Sequence, residues 1–157
     1  MRTISYTGDP RLLWSKKYED IYHTLRDKGV FFQNAQTFMF CASLGYKYNH
    51  SVPVTGPTND FRFVTLTEEE LVPYVTIAFS KAGMQLDKLG KIEVFKTIME
   101  EFAEGGMQVF IERFLSTYLM TAADGSLVLD IKSNAFDFEK DLLVFIHEES
   151  SNTNPFV

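Results

Sequence analysis

Through most of this chain, apolar side chains return every three or four residues, and that period is the strongest constraint on what it can fold into. Trp14, Tyr18, Ile21, Tyr22 and Leu25 share one helical face. Asp9-Pro10 in front of them predicts an N-cap followed by proline at the first helical position, and Gly29 predicts a stop. Phe38, Cys41, Ala42 and Gly45 line a second, shorter helix, with Asn34 as its cap and Gly45 as its end. The small residues on that face would let another helix approach closely.

The second half continues the pattern. Thr67-Glu68-Glu69-Glu70 reads as a capping box, with Leu66 and Leu71 placed as a hydrophobic staple. Val75, Ala78, Phe79 and Ala82 would form the buried stripe of that helix before Gly83 ends it. Pro73 either kinks the helix or marks the start of its main part. Asp87 can cap the next helix, whose inner face holds Ile92, Phe95, Met99, Phe102 and Ala103, with Glu100 and Glu104 mainly outside it. Gly105-Gly106 predicts a sharp break, and residues 107–122 then read as a helix apolar nearly all round. Such a helix belongs at the centre of a bundle or in an oligomer interface. Asn134 can cap a last helix facing Phe138, Leu142, Phe145 and Ile146 inward.

The expected fold is therefore mainly α: a single compact domain over 1–157 with about six helices and at most a minimal two-stranded sheet. That sheet would pair Phe61–Val64 with Leu127–Ile131. Residues 46–66, with two prolines and a glycine, read as a long extended loop, a feature that in a small domain tends to be functional or mobile. Residues 150–157 read as a frayed tail. No internal repeat, low-complexity tract or linker divides the chain.

Composition narrows the function classes. At 157 residues with 15% aromatics, the chain can bury a real core without staples. Its single cysteine, Cys41, cannot form an internal disulfide or supply a cysteine-based zinc site alone. There is no signal-peptide pattern and no run near the ~20 apolar residues of a membrane span. A reducing, cytoplasmic compartment is the expectation, with no membrane contact. The formal net charge of −6 divides into +3 over residues 1–50 and −9 over 51–157. The acidic portion argues against broad binding to phosphate backbones.

No motif marks an enzyme. His23, His50 and His147 are far apart and offer no helical metal pair. Cys41 has Phe40 and Ala42 beside it, the setting of a buried structural thiol. The runs Glu68–Glu70, Glu100-Glu101 and Glu148-Glu149 place adjacent carboxylates in different directions, so capping and solubility explain them. No phosphate-cradling loop or nucleophile elbow is visible. No catalytic residue, metal ligand, cofactor or small-molecule ligand is predicted. The segment from Gly45 to Pro53 is the informative one, because tyrosines and cations in a loop are favoured contact residues. Tyr46, Lys47, Tyr48, His50 and Arg62 are the candidate partner or nucleic-acid contacts.

Phe38-Met39-Phe40-Cys41-Ala42-Ser43-Leu44-Gly45-Tyr46-Lys47, followed by Val52-Pro53, resembles a segment of the dnd system-associated protein 4 family. Glu100-Glu101-Phe102-Ala103-Glu104-Gly105-Gly106 is similar to a second segment of that family. Where the family pattern has a basic residue before the proline, this chain has Ser51-Val52. The resemblance implies a bacterial defence setting involving sulfur-modified DNA, and no reaction.

The resulting expectation is a non-catalytic accessory or interaction protein of a prokaryotic DNA-modification system, with a protein partner or its own copy as the contact. The alternative is a nucleic-acid-binding regulator using Lys16, Lys17, Arg26, Lys28 and Lys47. A third reading is an enzyme whose site is assembled across segments around His50 or His147.

Overall fold

The computed structural model describes residues 8–81, 91–131 and 135–151. Among these residues there are five α-helices and two small antiparallel sheets of two strands each. The mainly α expectation holds, but the helix count is five, and there are two sheets where at most one was expected.

The N-terminal segment departs first from its helical reading. Residues Arg11–Ser15 form strand β1, Lys16–Tyr18 a 3-10 turn, and only Glu19–Asp27 the first helix, α1. Within β1, Leu12 and Trp14 are buried while Arg11 is exposed, a two-residue alternation. Its partner β2, Thr58–Arg62, comes from the middle of the expected loop and pairs Leu12 with Phe61 and Trp14 with Asn59. Long-range pairing has overridden a local helical pattern. Trp14 and Tyr22 still meet, stacked with centroids 3.9 Å apart.

Helix α2 runs Asn34–Lys47, with Asn34 as its first residue rather than its cap; Gln33 holds the cap position without a side-chain bond. The helix does not stop at Gly45. It ends in a Schellman motif two residues after Lys47, where Asn49 adopts a positive φ of 49°. Asn49 N–H donates to Tyr46 O at 3.1 Å, and His50 N–H to Gly45 O at 2.8 Å.

Helix α3, Glu68–Lys81, begins with the expected capping box: Glu70 N–H donates to Thr67 Oγ1 at 3.2 Å, and Thr67 N–H to Glu70 Oε2 at 2.8 Å. Leu66 of the expected staple is buried. The helix runs through Pro73, and its described inner residues are Tyr74 and Ile77, with Val75 half-buried. The predicted Gly83 stop and the Asp87 and Asn134 caps lie outside the described residues.

Helix α4, Ile92–Arg113, contains Gly105 and Gly106 inside it, so the two helices expected there are one. It gives way to a 3-10 turn at Leu115–Tyr118 and to strand β3, Leu119–Thr121, where a helix to 122 was expected. β3 pairs with β4, Leu127–Leu129, around a turn at Gly125. The strand at 127–129 is thus real, but its partner is its neighbour and not Phe61–Val64. Asp20 of α1 accepts Leu129 N–H at 2.6 Å, tying this hairpin to the first helix.

Helix α5, Ala135–Ser151, buries Phe138, Leu142 and Phe145 as predicted, and includes residues 150 and 151 of the expected tail. Phe110 stacks on Phe114, and Phe138 sits edge-on to both Phe114 (5.5 Å) and Tyr118 (4.9 Å). This aromatic ladder holds α5 against the end of α4.

Candidate functional site

The centre of the molecule is the crossing of α2 and α4, and glycines set its distance. A Cβ at Gly106 would lie 1.5 Å from Cys41 O; one at Gly45 would lie 2.2 Å from Phe102 O. Gly105 leaves room for the chain leaving α2, since a Cβ there would meet His50 O at 2.1 Å. The segment then runs along α4, with Val52 N–H donating to Glu101 O at 3.0 Å. Gly105-Gly106 is a notch that receives another backbone, not a turn.

The same stretch of α4 grips β1 through carboxylates. Glu100 Oε2 accepts Leu13 N–H at 2.8 Å. One helical turn on, buried Glu104 accepts Ser15 Oγ at 2.7 Å and lies 3.5 Å from Lys17 Nζ. Burial raises the Glu100 carboxyl above its ordinary value, despite the Leu13 bond. These two side chains were expected mainly on the outer face; they are structural anchors of the sheet.

At the far end of the crossing lies an open cleft of about 460 Å³, lined by Tyr48, His50, Gln108, Val109, Glu112 and Arg113. Two of these lining residues, Tyr48 and Arg113, are held by Glu149 of α5, a buried carboxylate. Lys47 Nζ donates to Glu149 Oε2 at 2.7 Å, and Tyr48 Oη donates to the same oxygen. Arg113 Nε donates to Glu149 Oε1 at 2.9 Å. The Arg113 guanidinium also lies over the Tyr48 ring, 4.8 Å from its centroid. Burial alone would raise Glu149, but the bonds from Lys47, Tyr48 and Arg113 outweigh it and hold the carboxyl below its ordinary value. One side chain of α5 thereby clasps α2 and α4 together. In front of it, His50 Nε2 lies 2.9 Å from Gln108 Oε1.

Of the five predicted contact residues, the fold brings Tyr48 and His50 together at this cleft, while Lys47 pairs with Glu149. Tyr46 bonds instead to Ser80 of α3 through its hydroxyl, at 2.8 Å, with its ring edge-on to Phe102. Arg62 sits on β2, with Nε 3.0 Å from both carboxylate oxygens of Asp9. Gln108, Glu112 and Arg113 complete the polar lining of the cleft, and Glu149 pairs with Arg113; none of the four is among the predicted contacts. One signal was available for Glu149: it continues the spacing of Phe138, Leu142 and Phe145 on the inner face of its helix.

The cleft offers cationic, phenolic, imidazole and amide groups on fixed backbone, an arrangement suited to recognition. Among the described residues, no cluster of three or more His, Cys, Asp or Glu is placed to hold a metal ion. Cys41 is fully buried, and burial pushes its thiol well above the ordinary range. Three cations of the proposed basic face engage carboxylates of this chain: Lys17 with Glu104, Arg26 with Asp27, and Lys47 with Glu149. No helix among the described residues is long and apolar enough to cross a membrane.

The two segments that resemble known sequence, residues 38–47 and 100–106, are the two sides of the glycine crossing. A family model described as DNA sulphur modification system-associated protein 4 matches residues 11–153. The chain belongs to that family. The match extends from β1 to the last turn of α5, so the crossing, the clasp and the cleft of this DNA sulphur modification system-associated protein all fall inside it. Neither the curated proteins nor the solved structures compared with the chain give a match.

Proposed function

We propose that this protein is a non-catalytic accessory component of a DNA sulphur modification system, and that it acts by holding a protein partner at the cleft between Tyr48 and Arg113. The observation that carries this reading is the clasp. Glu149 orders a tyrosine and an arginine side by side at an open surface, and these two residue types dominate the energetics of protein contacts. Holding them in place before binding removes part of the side-chain entropy that association would otherwise cost. His50, Gln108 and Glu112 supply the polar groups that would fix the partner's register. The family supports the setting, since its description ties its members to a DNA sulphur modification system.

Affinity purification of the tagged full chain from cells carrying such a system tests the reading. A component of the system should be retained in a fixed stoichiometry and lost when His50→Ala and Arg113→Ala are combined. Purification without any such component, together with turnover of modified DNA by the isolated chain, would replace this reading with a catalytic one.

A further inference from the structure

Arg62, a predicted contact residue that the cleft leaves out, lies on the free edge of a sheet. In the β1–β2 pair, ladder bonds join Phe63 to Pro10 and Lys16 to Pro57, and the register repeats them at every second residue between. The residues in between turn their backbone groups outward. On β1, the outward N–H of Leu13 is taken by Glu100 of α4. On β2, the outward residues are Thr58, Asp60 and Arg62, all exposed. Among the described residues nothing accepts from their three N–H groups, and of their carbonyls only that of Arg62 is used, by Thr65 Oγ1 at 2.7 Å. One edge of the sheet is closed by a helix; the other is open.

An open edge is ordinarily guarded, for instance by charges that repel an approaching strand. This edge carries opposite charges two residues apart on one face, Asp60 and Arg62. Arg11 Nη1 donates to Asp60 Oδ1 at 2.7 Å, and Arg62 Nε lies 3.0 Å from both oxygens of Asp9. Asp60 Oδ2 and the terminal nitrogens of Arg62 make no hydrogen bond among the described residues.

We infer that β2 pairs with β2 of a second copy, antiparallel about a two-fold axis at Phe61. That register sets Asp60 of each copy opposite Arg62 of the other, so their outward N–H and C=O groups form four ladder bonds and both charges are met. Phe61, half-buried at the same edge, comes beside its own copy. An axis at Asp60 would face that carboxylate with itself, so charge selects the register. It also selects the occupant. The strand that fits Asp-x-Arg in the antiparallel sense reads Arg-x-Asp, and a two-fold copy presents that order by symmetry. The product is a four-stranded sheet with β1 of each copy on its flanks, and none of its strand residues lines the cleft.

Sedimentation equilibrium of the full chain tests the inference. Wild type should dimerise reversibly with concentration. Asp60→Lys and Arg62→Glu each bring like charges face to face twice, and each should weaken the dimer by at least about tenfold. An equimolar mixture of the two variants should regain association as a heterodimer, because every facing pair is then again of opposite sign. Asp60→Pro removes an outward N–H at an edge position where proline is tolerated, so it should sediment as a monomer with a thermal melt like wild type. A wild-type monomer at high-micromolar concentration would overturn the inference. So would a dimer that the folded proline variant keeps, or a mixture that associates no better than either variant alone. Retention of a system component by the monomeric variants would leave the proposed function standing, so the two readings fail separately.

Discussion

Gly106 of α4 rests against the carbonyl of Cys41 in α2, so closely that a methyl group on Gly106 would fall 1.5 Å from that oxygen. The neighbouring atoms are backbone, which cannot rotate away as a side chain can. Gly106→Ala should therefore force the two helices apart and cost about 3 kcal/mol or more, at the upper end of overpacking effects. Gly105→Ala, which meets His50 O, should also destabilise, and by an alanine change that would favour an isolated helix. Urea unfolding of both variants measures the difference. Neutral or stabilising outcomes would mean the helices do not approach this closely.

Glu149 predicts a loss of stability in acid. Its folded-state carboxyl is held below the ordinary value, so the stability it adds is present above the unfolded-state value, near 4.3. That stability disappears as the pH falls through the lower folded-state value. Glu149→Gln should cost about 2 kcal/mol near neutrality, a charged hydrogen-bond contribution reduced because Arg113 is partly solvated. The variant's deficit should shrink toward zero at low pH, as followed by chemical denaturation across a pH series.

Glu100 has the opposite sign. Burial raises its folded-state carboxyl, so its protonated form is the favoured one, and its contribution is full in acid and declines as the pH rises through the raised value. Glu100→Gln keeps an oxygen to accept Leu13 N–H while removing the half-buried charge. The substitution should be neutral or stabilising at pH 7 and less favourable at pH 4, the reverse of the Glu149 trend.

Phe138 lies fully buried between Phe114 and Tyr118. Phe138→Ala should cost about 3–5 kcal/mol through lost burial and an unfilled cavity. Because Glu149 shares its helix, loosening α5 should also release the clasp. Arg113 and Tyr48 would lose their common carboxylate, so the substitution should weaken partner retention even though Phe138 is remote from the cleft. Equilibrium unfolding and affinity purification on the same preparation check both halves.

Cys41 is both buried and pushed toward its protonated form, so native protein should react with a thiol reagent only through unfolding. Labelling rates that rise in step with urea-induced unfolding would agree. Rapid labelling of the folded chain would show that the α2–α4 crossing opens.

Much of the helical architecture was readable because burial imposes a period. Phe138, Leu142 and Phe145 repeat on one face, and Thr67 with Glu70 declares a helix start through a local hydrogen-bond exchange. The glycines misled because a missing Cβ looks the same in sequence whether it permits a turn or admits another backbone. Trp14 and Tyr18 share a helical spacing, yet β1 is decided by pairing with β2, a partner that no local pattern reveals. The candidate site was half visible for a similar reason. Lys47, Tyr48 and His50 fall within four residues of one another, whereas Arg113 and Glu149 reach Lys47 and Tyr48 from two other helices. Glu149 and Glu104 were read as surface because they are charged, although each has its partners supplied inside the fold.

If the cleft ordered by Glu149 is a contact surface for a component of the DNA sulphur modification system, altering its lining must change the affinity for that component. The decisive quantity is the dissociation constant between that purified component and this chain, for wild type and for His50→Ala/Arg113→Ala. The double variant should bind at least about tenfold more weakly with its fold unchanged, since arginine is enriched among the few contact residues whose truncation costs about 2 kcal/mol or more. Equal affinity of wild type and variant, with both correctly folded, would contradict it.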